Sequence, residues 1–308
     1  MTMQIITDIT KYDKRPCAAT IGSFDGVHLG HLSMLGELRC AAAAQNLPLM
    51  VVTFATHPRM LFNKECEPFL LTPACEKVKL LEAAGVDICV LLNFDRAMAA
   101  LSAGSFMREV LVERLGVQLL AVGYDHHFGK PVPGEGLGQY IAMGKECGVG
   151  VFGTQPFIVD GAPVSSSAVR RALSAGDVAL AARLLGRRYS LAGTVVHGAG
   201  IGRVLGFPTA NISPAEEEQM LPLDGVYETD VAIDGCIFKG VMNIGMKPTV
   251  NGKERTNEVH VLGFEGDIYG KEIAVQFVRR LRGEQIFENV NALRQQIEQD
   301  IERVKQGN

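Results

Sequence analysis

The sequence predicts an α/β protein with two domains, a parallel-sheet domain followed by an antiparallel β-barrel that ends in a helix. Short, nearly continuous apolar runs alternate with amphipathic segments over residues 18–186, as in a parallel sheet covered by helices on both faces. After Arg187 the apolar runs follow one another with no helical pattern between them. The last predicted element is an amphipathic helix. We therefore expect domains at residues 1–186 and 187–308.

In the first domain, predicted strands and helices alternate along the chain. The strands are expected at residues 18–24, 49–54, 88–94, 119–123 and 149–154. The helices are expected at residues 32–44, 74–84, 105–115 and 139–146. Ligands bind at the carboxyl ends of strands in such sheets. The turns at 22–31 and 123–129 each follow a strand, so we expect both to line one crevice.

The second domain has the pattern of an all-β module. Its strands are expected at residues 189–196, 226–233, 236–243, 259–264 and 273–278. Asp234 and Gly235 form a strong hairpin signal between two of them. Short strands at this spacing favour a closed or nearly closed antiparallel barrel. The last helix carries one apolar stripe, which we interpret as core packing and which consists of Val290, Leu293, Ile297, Ile301 and Val304.

Composition restricts the class of partner. The 308 residues are 47% hydrophobic and 21% charged, and the net charge of −4 gives no reason to expect nucleic-acid binding. The N-terminus has no apolar signal core, and no run approaches the roughly 18 apolar residues of a membrane span, so we expect no membrane partner. Seven cysteines with neither zinc-type nor disulfide-type spacing predict a cytoplasmic protein.

The most informative segment is residues 22–31, which read GSFDGVHLGH and follow an apolar run. His28 and His31 are three residues apart where a helical pattern begins, so both imidazoles are expected at its first turn. Unpaired N–H groups and the helix dipole favour a phosphate there, and Gly30 keeps bulk away from it. This pattern favours nucleotidyl transfer. A two-histidine metal site and a purely structural turn remain alternatives.

The same string resembles the HxGH signature of the Rossmann-like nucleotidyltransferase superfamily. More closely, it resembles the adenylyltransferase module of bacterial bifunctional riboflavin kinase/FAD synthetases. Residues 164–170 (VSSSAVR) are similar to that family's second nucleotide motif. The resemblance implies that His28 and His31 act at the transferring phosphorus. The ATP ligands that it implies in this module are Gly22, Phe24, Gly30, Ser166, Ser167 and Arg170.

Two further segments resemble the flavin side of the same module, namely TFATHPR at 53–59 and GYDHHFG at 123–129. They imply flavin contacts from His57, Pro58 and Asp125. The chain departs from the family shortly afterwards, because Val132 stands where the family usually has an arginine suited to the flavin phosphate, which leaves Lys130 as the nearby cation for that contact.

The second domain contains GFPTAN at 206–211, a string nearly diagnostic of riboflavin kinases, and NIGMKPT at 243–249 matches another string of that family. Thr209 and Asn211 offer neutral oxygen ligands, which suit a Mg²⁺ ion that ATP phosphates complete. The glycine-rich run at 198–203 is a weak phosphate-loop signal taken alone, and the resemblance implies nucleotide contacts at Gly202 and Arg203. The remaining implied roles are a general base at Glu258 and flavin contacts at Arg279 and Glu284.

The resemblance extends from about residue 5 to residue 301. It implies a bifunctional enzyme that phosphorylates riboflavin to FMN with ATP and Mg²⁺, and then transfers AMP from ATP to FMN, giving FAD and pyrophosphate. Two alternatives remain open. One is a riboflavin kinase whose adenylyltransferase module is weak or inactive, and the other is a non-catalytic flavin-binding regulator.

Overall fold

The computed structural model describes residues 2–57, 68–124, 128–129, 136–198, 200–249 and 252–307. The chain forms two compact units, Met1–Ser166 and Ser167–Asn308. Among the described residues, no helix combines the length and the apolar character that a membrane span requires.

The first unit is built on a six-stranded sheet in which every neighbouring pair is parallel. Its strands are β1 (Gln4–Ile6), β2 (Cys17–Ile21), β3 (Leu49–Phe54), β4 (Ile88–Leu92), β5 (Val117–Val122) and β6 (Gly150–Gly153). They lie in the order β1-β4-β3-β2-β5-β6, so the order reverses between β2 and β5. Ligands bind at such a reversal in open α/β sheets.

Helices cover both faces of this sheet. They are α1 (Leu29–Ala43), α2 (Ala74–Ala83), α3 (Arg96–Ala99), α4 (Ala103–Ser105), a π-helix (Phe106–Arg114) and α5 (Leu137–Cys147). A 3₁₀ turn (Ile9–Lys11) and a small ribbon of β7 (Ile158–Val159) and β8 (Ala162–Pro163) complete the unit. Alternate residues of β2 enter different cores, because Cys17, Ala19 and Ile21 join one cluster and Ala18 the other. Burial on both faces explains why the strands are almost wholly apolar.

The second unit is a closed barrel in the order β10-β13-β12-β11-β14-β9, with antiparallel neighbours throughout. The strands are β9 (Ser190–Val196), β10 (Ala210–Pro214), β11 (Gly225–Ile233), β12 (Cys236–Thr249), β13 (Gly252–Val261) and β14 (Glu272–Arg282). The helices are α6 (Ser166–Ser174), α7 (Val178–Leu185), α8 (Ile201–Leu205) and α9 (Val290–Gln306). The predicted fold class, a parallel α/β domain followed by a barrel with a C-terminal helix, is confirmed.

Helix α7 and, from Ser167 onward, helix α6 belong to the barrel unit. Leu223 N donates a hydrogen bond to Leu173 O, and α7 packs on β14 through buried Val178, Ala181 and Leu184. Between the helices, Gly176 has φ +75° and lies so close to Arg280 that a Cβ there would overlap its side chain. The compact barrel unit thus includes two helices that precede the period change at Arg187.

Several elements differ from the sequence expectation. Strand β1 was not predicted, because only one of its three residues is buried. Strand β10 was not predicted either, because only Ala210 and Ile212 point inward within a polar segment. Strands β12 and β13 form a hairpin extending beyond the apolar residues, with Thr249 paired to Gly252. Backbone pairing outside the core has no hydrophobic signal.

Candidate active sites

Residues 22–31, here called the histidine turn, connect β2 to α1. His28 is the N-cap of α1 rather than part of it, and its Nδ1 accepts a 3.3 Å hydrogen bond from the backbone N–H of His31. The two imidazoles stack with centroids 3.7 Å apart. Because Nδ1 acts as an acceptor, the proton of neutral His28 is assigned to Nε2, which can then donate to a ligand.

The backbone of the histidine turn is strained and held in place. Phe24 and Val27 have φ of 49° and 36°, on either side of Gly26 with φ 89°. Asp25 is buried, and its Oδ1 accepts hydrogen bonds from Leu71 N at 2.9 Å and Thr72 N at 3.2 Å. Positive φ at non-glycine residues persists where surrounding contacts fix it, and it is common at functional sites. The histidine turn is therefore preformed.

Gly30 allows the two histidines to meet. A Cβ at this position would lie 3.0 Å from Val164 O and 3.1 Å from the ring of His28. A few residues along the chain, Ser166 begins α6, and its hydroxyl donates a 2.8 Å hydrogen bond to the carbonyl of Asp25. This bond fixes Ser166, the last residue of the first unit, against the histidine turn.

A cavity of about 220 Å³, here called the aromatic cavity, lies at the carboxyl ends of the parallel strands. Both predicted turns border it, through Ser23 on one side and Phe128 and Gly129 on the other, as the sequence analysis predicted. Half-buried His57 also lines it and packs edge-on against Phe69. The remaining lining residues are Ile21, Phe54, Phe94, Met98, Ala99 and Phe106. Such walls suit a planar aromatic ring.

In the barrel unit, a cavity of about 370 Å³ contains three carboxylates, and we call it the carboxylate cavity. Glu258 lies on β13, opposite Asn211 on one neighbouring strand and Asn243 on the other. The hydroxyl of Thr209 donates a 3.1 Å hydrogen bond to Oε2 of Glu258. The other two carboxylates are Glu284 and Asp300.

The apolar walls of the carboxylate cavity come from several elements. They are Leu205, Phe207, Val226, Val241, Phe287, Leu293 and Ile297. On β13, His260 also lines the cavity, and its Nδ1 is 2.8 Å from the Pro208 carbonyl, which joins β13 to the segment that precedes β10.

A second barrel cavity, of about 520 Å³, is here called the His197 cavity. His197 and Tyr269 stack in it with ring centroids 3.9 Å apart, and Arg203 lies on its wall. Thr209 lines both barrel cavities. The two barrel cavities therefore share this one wall residue.

Two family models match this chain, FAD synthetase over residues 10–168 and riboflavin kinase over residues 185–307. A bifunctional riboflavin kinase/FMN adenylyltransferase of Haemophilus influenzae is 39% identical over 98% of both chains. The Escherichia coli protein of the same name is 40% identical over 97% of this chain and 96% of its own. The chain belongs to the bifunctional riboflavin kinase/FMN adenylyltransferase family. The predicted family and its pair of transferase activities are confirmed.

A solved structure has the same fold. The crystal structure of a Streptococcus pneumoniae protein called a macrolide-efflux protein superimposes with a TM-score of 0.86. It covers 99% of each chain at 28% identity.

Within this family, the structure brings together several residues that were predicted separately. His28 and His31 stack, and Glu258 meets Thr209. The Asn211 carboxamide lies against Gly198, where a Cβ would overlap it. Gly202 likewise leaves room for Thr209, since a Cβ there would meet the hydroxyl at 3.0 Å.

Other predicted residues have different surroundings. Arg279 Nε donates to Glu228 at 2.7 Å and is not among the residues lining the carboxylate cavity, whereas Glu284 is. Ser167 and Arg170 lie within α6. Pro58, Asp125, Lys130 and Val132 lie outside the described residues.

A buried ion pair in the carboxylate cavity was not predicted from the sequence. Arg282 Nε donates to Asp300 Oδ2 at 2.9 Å, and Gln296 donates to the other carboxylate oxygen at 3.0 Å. The Arg282 guanidinium also lies 5.7 Å from the ring centroid of Phe287. The one available signal was Asp300 on the apolar stripe of α9, beside Ile301, where a charge needs a partner.

Proposed function

We propose that riboflavin binds in the carboxylate cavity and that Glu258 is the general base of its phosphorylation. The hydrogen bond between Glu258 and Thr209 supports this assignment, because it joins a carboxylate inside the cavity to a residue that also lines the His197 cavity. Glu258 accepts the proton of the 5′-hydroxyl, the freed oxygen attacks the γ-phosphorus of ATP, and ADP leaves. FMN remains in the cavity.

The apolar walls of the carboxylate cavity suit the flavin ring, and Glu284 suits the polar ribityl chain. Phe207 and Phe287 offer aromatic faces, while the carboxylate of Glu284 accepts hydrogen bonds from hydroxyl groups. Gly245 lies against Glu284, and a Cβ at this glycine would overlap the carboxylate. Gly245 therefore leaves the space that the Glu284 carboxylate occupies.

ATP is assigned to the His197 cavity. The stacked rings of His197 and Tyr269 provide an aromatic surface for the base, and Arg203 supplies a charge suited to phosphate. Because Thr209 lines both cavities, the γ-phosphate of ATP reaches the flavin hydroxyl at this residue.

Mg²⁺ fits the donor set beside ATP. Among the described residues, no group of three or more histidine, cysteine or acidic side chains is placed to hold a metal ion. Thr209 and Asn211 are two residues apart and so project from the same side of an extended segment. We assign them as neutral oxygen ligands of an ion that the ATP phosphates complete. When bound, Mg²⁺ neutralises charge on the phosphates.

In the first unit we assign AMP transfer to the histidine turn. A phosphate oxygen of FMN attacks the α-phosphorus of ATP, and pyrophosphate leaves. His28 and His31 donate hydrogen bonds to the oxygens of the transferring phosphoryl group, where negative charge develops. The backbone N–H groups at the N-terminus of α1 stabilise the same charge. The aromatic cavity holds the flavin ring, with His57 at its edge. Ser166, Ser167 and Arg170 stay predicted as phosphate ligands, and the Ser166 hydroxyl also donates a hydrogen bond to the carbonyl of Asp25.

A reducing compartment such as the cytoplasm suits the cysteines of this chain. Six cysteines lie in the described part of the chain, and all six are free thiols.

The test is a time course with riboflavin, ATP and Mg²⁺, followed by chromatography of the products. FMN is expected to form first and FAD afterwards. Asn211→Ala should raise the Mg²⁺ concentration needed for half-maximal riboflavin phosphorylation, while FMN adenylylation in the same preparation keeps its Mg²⁺ dependence. If no FMN forms from riboflavin, the kinase assignment is wrong. An unchanged Mg²⁺ dependence in Asn211→Ala contradicts the metal assignment.

A further inference from the structure

Lys77 is a buried lysine beneath the histidine turn. It lies on α2 and is 7% exposed. Its Nζ donates to Phe54 O at 2.9 Å, Ser23 O at 3.3 Å and Thr53 Oγ1 at 3.4 Å. An ammonium has three N–H donors, so the protein itself uses all of them.

The three acceptors lie just where β2 and β3 end. Phe54 is the last residue of β3, and Ser23 follows β2 by two residues. The Thr53 hydroxyl also donates to Ser23 O at 3.1 Å, which closes a small network around the ammonium. Lys77 therefore joins the two strand ends through one ammonium group.

Those strand ends form two walls of the aromatic cavity. Ser23, two residues after β2, and Phe54, the last residue of β3, both line it. A displacement of either wall changes the width of the aromatic cavity, in which a flat ring would bind. A binding site also loses affinity when its walls are free to move.

The charge on Lys77 has an energetic cost that a hydrocarbon side chain would avoid. Burial lowers the pKa of the Lys77 ammonium, and the nearby Asp25 carboxylate raises it in part. Removing an ammonium from water is unfavourable unless hydrogen bonds replace its hydration. A methionine would fill a similar volume without that cost, which points to the hydrogen-bond network as the reason for a lysine.

We propose that Lys77 is a positioning residue of FMN adenylylation, which holds Ser23 and Phe54 at the separation that the flavin ring requires. This inference rests on the proposed function of the aromatic cavity. Lys77 acts through the cavity walls, because its donors are used by protein acceptors.

The test compares Lys77→Met with Lys79→Met in the full-length chain. Lys79 is an exposed lysine on the same helix and serves as the matched control. In Lys77→Met we expect the KM for FMN to rise about tenfold, while kcat changes by less than about threefold and the KM for ATP by less than about twofold. Lys79→Met should match the wild type in all three constants. A loss of folded protein would lower the apparent kcat and leave KM unchanged, so this split separates positioning from general destabilisation.

Thr53→Val gives a second test if Lys77→Met folds poorly. It removes the hydroxyl that links Lys77 to Ser23, and we expect a few-fold rise in the KM for FMN. The double variant Lys77→Met/Thr53→Val should have the same KM for FMN as Lys77→Met alone. Amide exchange at residues 23–25 tests Lys77 without turnover, and it should quicken in Lys77→Met but not in Lys79→Met. A wild-type chain that makes no FAD would overturn the proposed function. An unchanged KM for FMN in folded Lys77→Met, or in Thr53→Val, would overturn the role of Lys77.

Discussion

The hydroxyl of Thr209 donates a hydrogen bond to the carboxylate of Glu258, with 3.1 Å between the oxygens. A threonine hydroxyl has one proton and two lone pairs, so it can donate to a carboxylate and still offer an oxygen to a cation. The proposed metal ligand and the proposed base are therefore coupled. A change at Thr209 is expected to act on metal binding and on the orientation of Glu258 together.

Thr209→Val removes this hydroxyl with little change in side-chain volume. A hydrogen bond to a charged group contributes about 1.5–3 kcal/mol, which corresponds to a rate loss of roughly ten- to a hundredfold. We expect that loss in riboflavin phosphorylation, and a much smaller one in Thr209→Ser, which keeps the hydroxyl. Steady-state kinetics with riboflavin measure the rate loss in each variant. Equal rates for Thr209→Val and Thr209→Ser would show that the hydroxyl is not needed.

Gly30→Ala is expected to impair adenylylation, because the new Cβ would meet Val164 O at 3.0 Å and the His28 ring at 3.1 Å. Gly36 on the same helix is the matched control, since a Cβ there has no neighbour within 4 Å. Gly36→Ala should leave FAD formation unchanged and stabilise the helix by about 0.5–1 kcal/mol. FAD formation and thermal unfolding of the two variants check this. A Gly30→Ala variant with full adenylylation would contradict the close packing at the histidine turn.

Asp300→Asn tests the ion pair in the carboxylate cavity. The Asp300 side chain is 1% exposed and that of Arg282 is 13% exposed, so the substitution leaves a guanidinium buried without its counter-ion. Removing one partner of such a pair typically costs about 3–5 kcal/mol. We expect a lower Tm and a higher KM for riboflavin.

Glu298→Gln on the same helix breaks the exposed pair with Arg294 and provides the control. It should cost less than about 1 kcal/mol and leave the KM for riboflavin unchanged. Equal Tm values for Asp300→Asn and Glu298→Gln would mean that the buried pair adds no stability.

The barrel is expected to depend on α6 and α7. A fragment of residues 187–308 lacks α7, which packs on β14, and with it the buried side chains of Val178, Ala181 and Leu184. Burial of a valine or leucine side chain contributes about 1.5–3 kcal/mol to stability. A fragment of residues 167–308 keeps them. The shorter fragment should therefore melt at least about 5 °C lower, as measured by circular dichroism. Equal melting temperatures would support a domain boundary at residue 187.

The parallel sheet and the histidine turn could be predicted because their signals are local. Apolar strands such as β3 and the HxGH spacing are contiguous in the sequence. The capping role of His28 could not be predicted from the local sequence, because it depends on whether the helix begins before or after that residue. Helix boundaries are the least reliable part of any pattern-based prediction.

The aromatic cavity and the Lys77 network could not be predicted, because their members come from separate elements. Phe54, Phe94, Phe106 and Phe128 are dispersed over more than seventy residues, and each has the sequence signature of a core residue. Within α2, Lys77 looks like any other helical lysine. Only the packing of α2 under the strand ends distinguishes it from exposed Lys79.

We propose that this one chain contains two separate active sites, with Glu258 serving one and His31 the other. The most direct measurement assays full-length Glu258→Gln and His31→Asn with riboflavin and with FMN as separate substrates. Glu258→Gln should lose roughly 10²–10⁴-fold in riboflavin phosphorylation and still convert added FMN to FAD at the wild-type rate. His31→Asn should make FMN normally and lose FAD formation. A folded variant that impairs both reactions equally would contradict the two-site account.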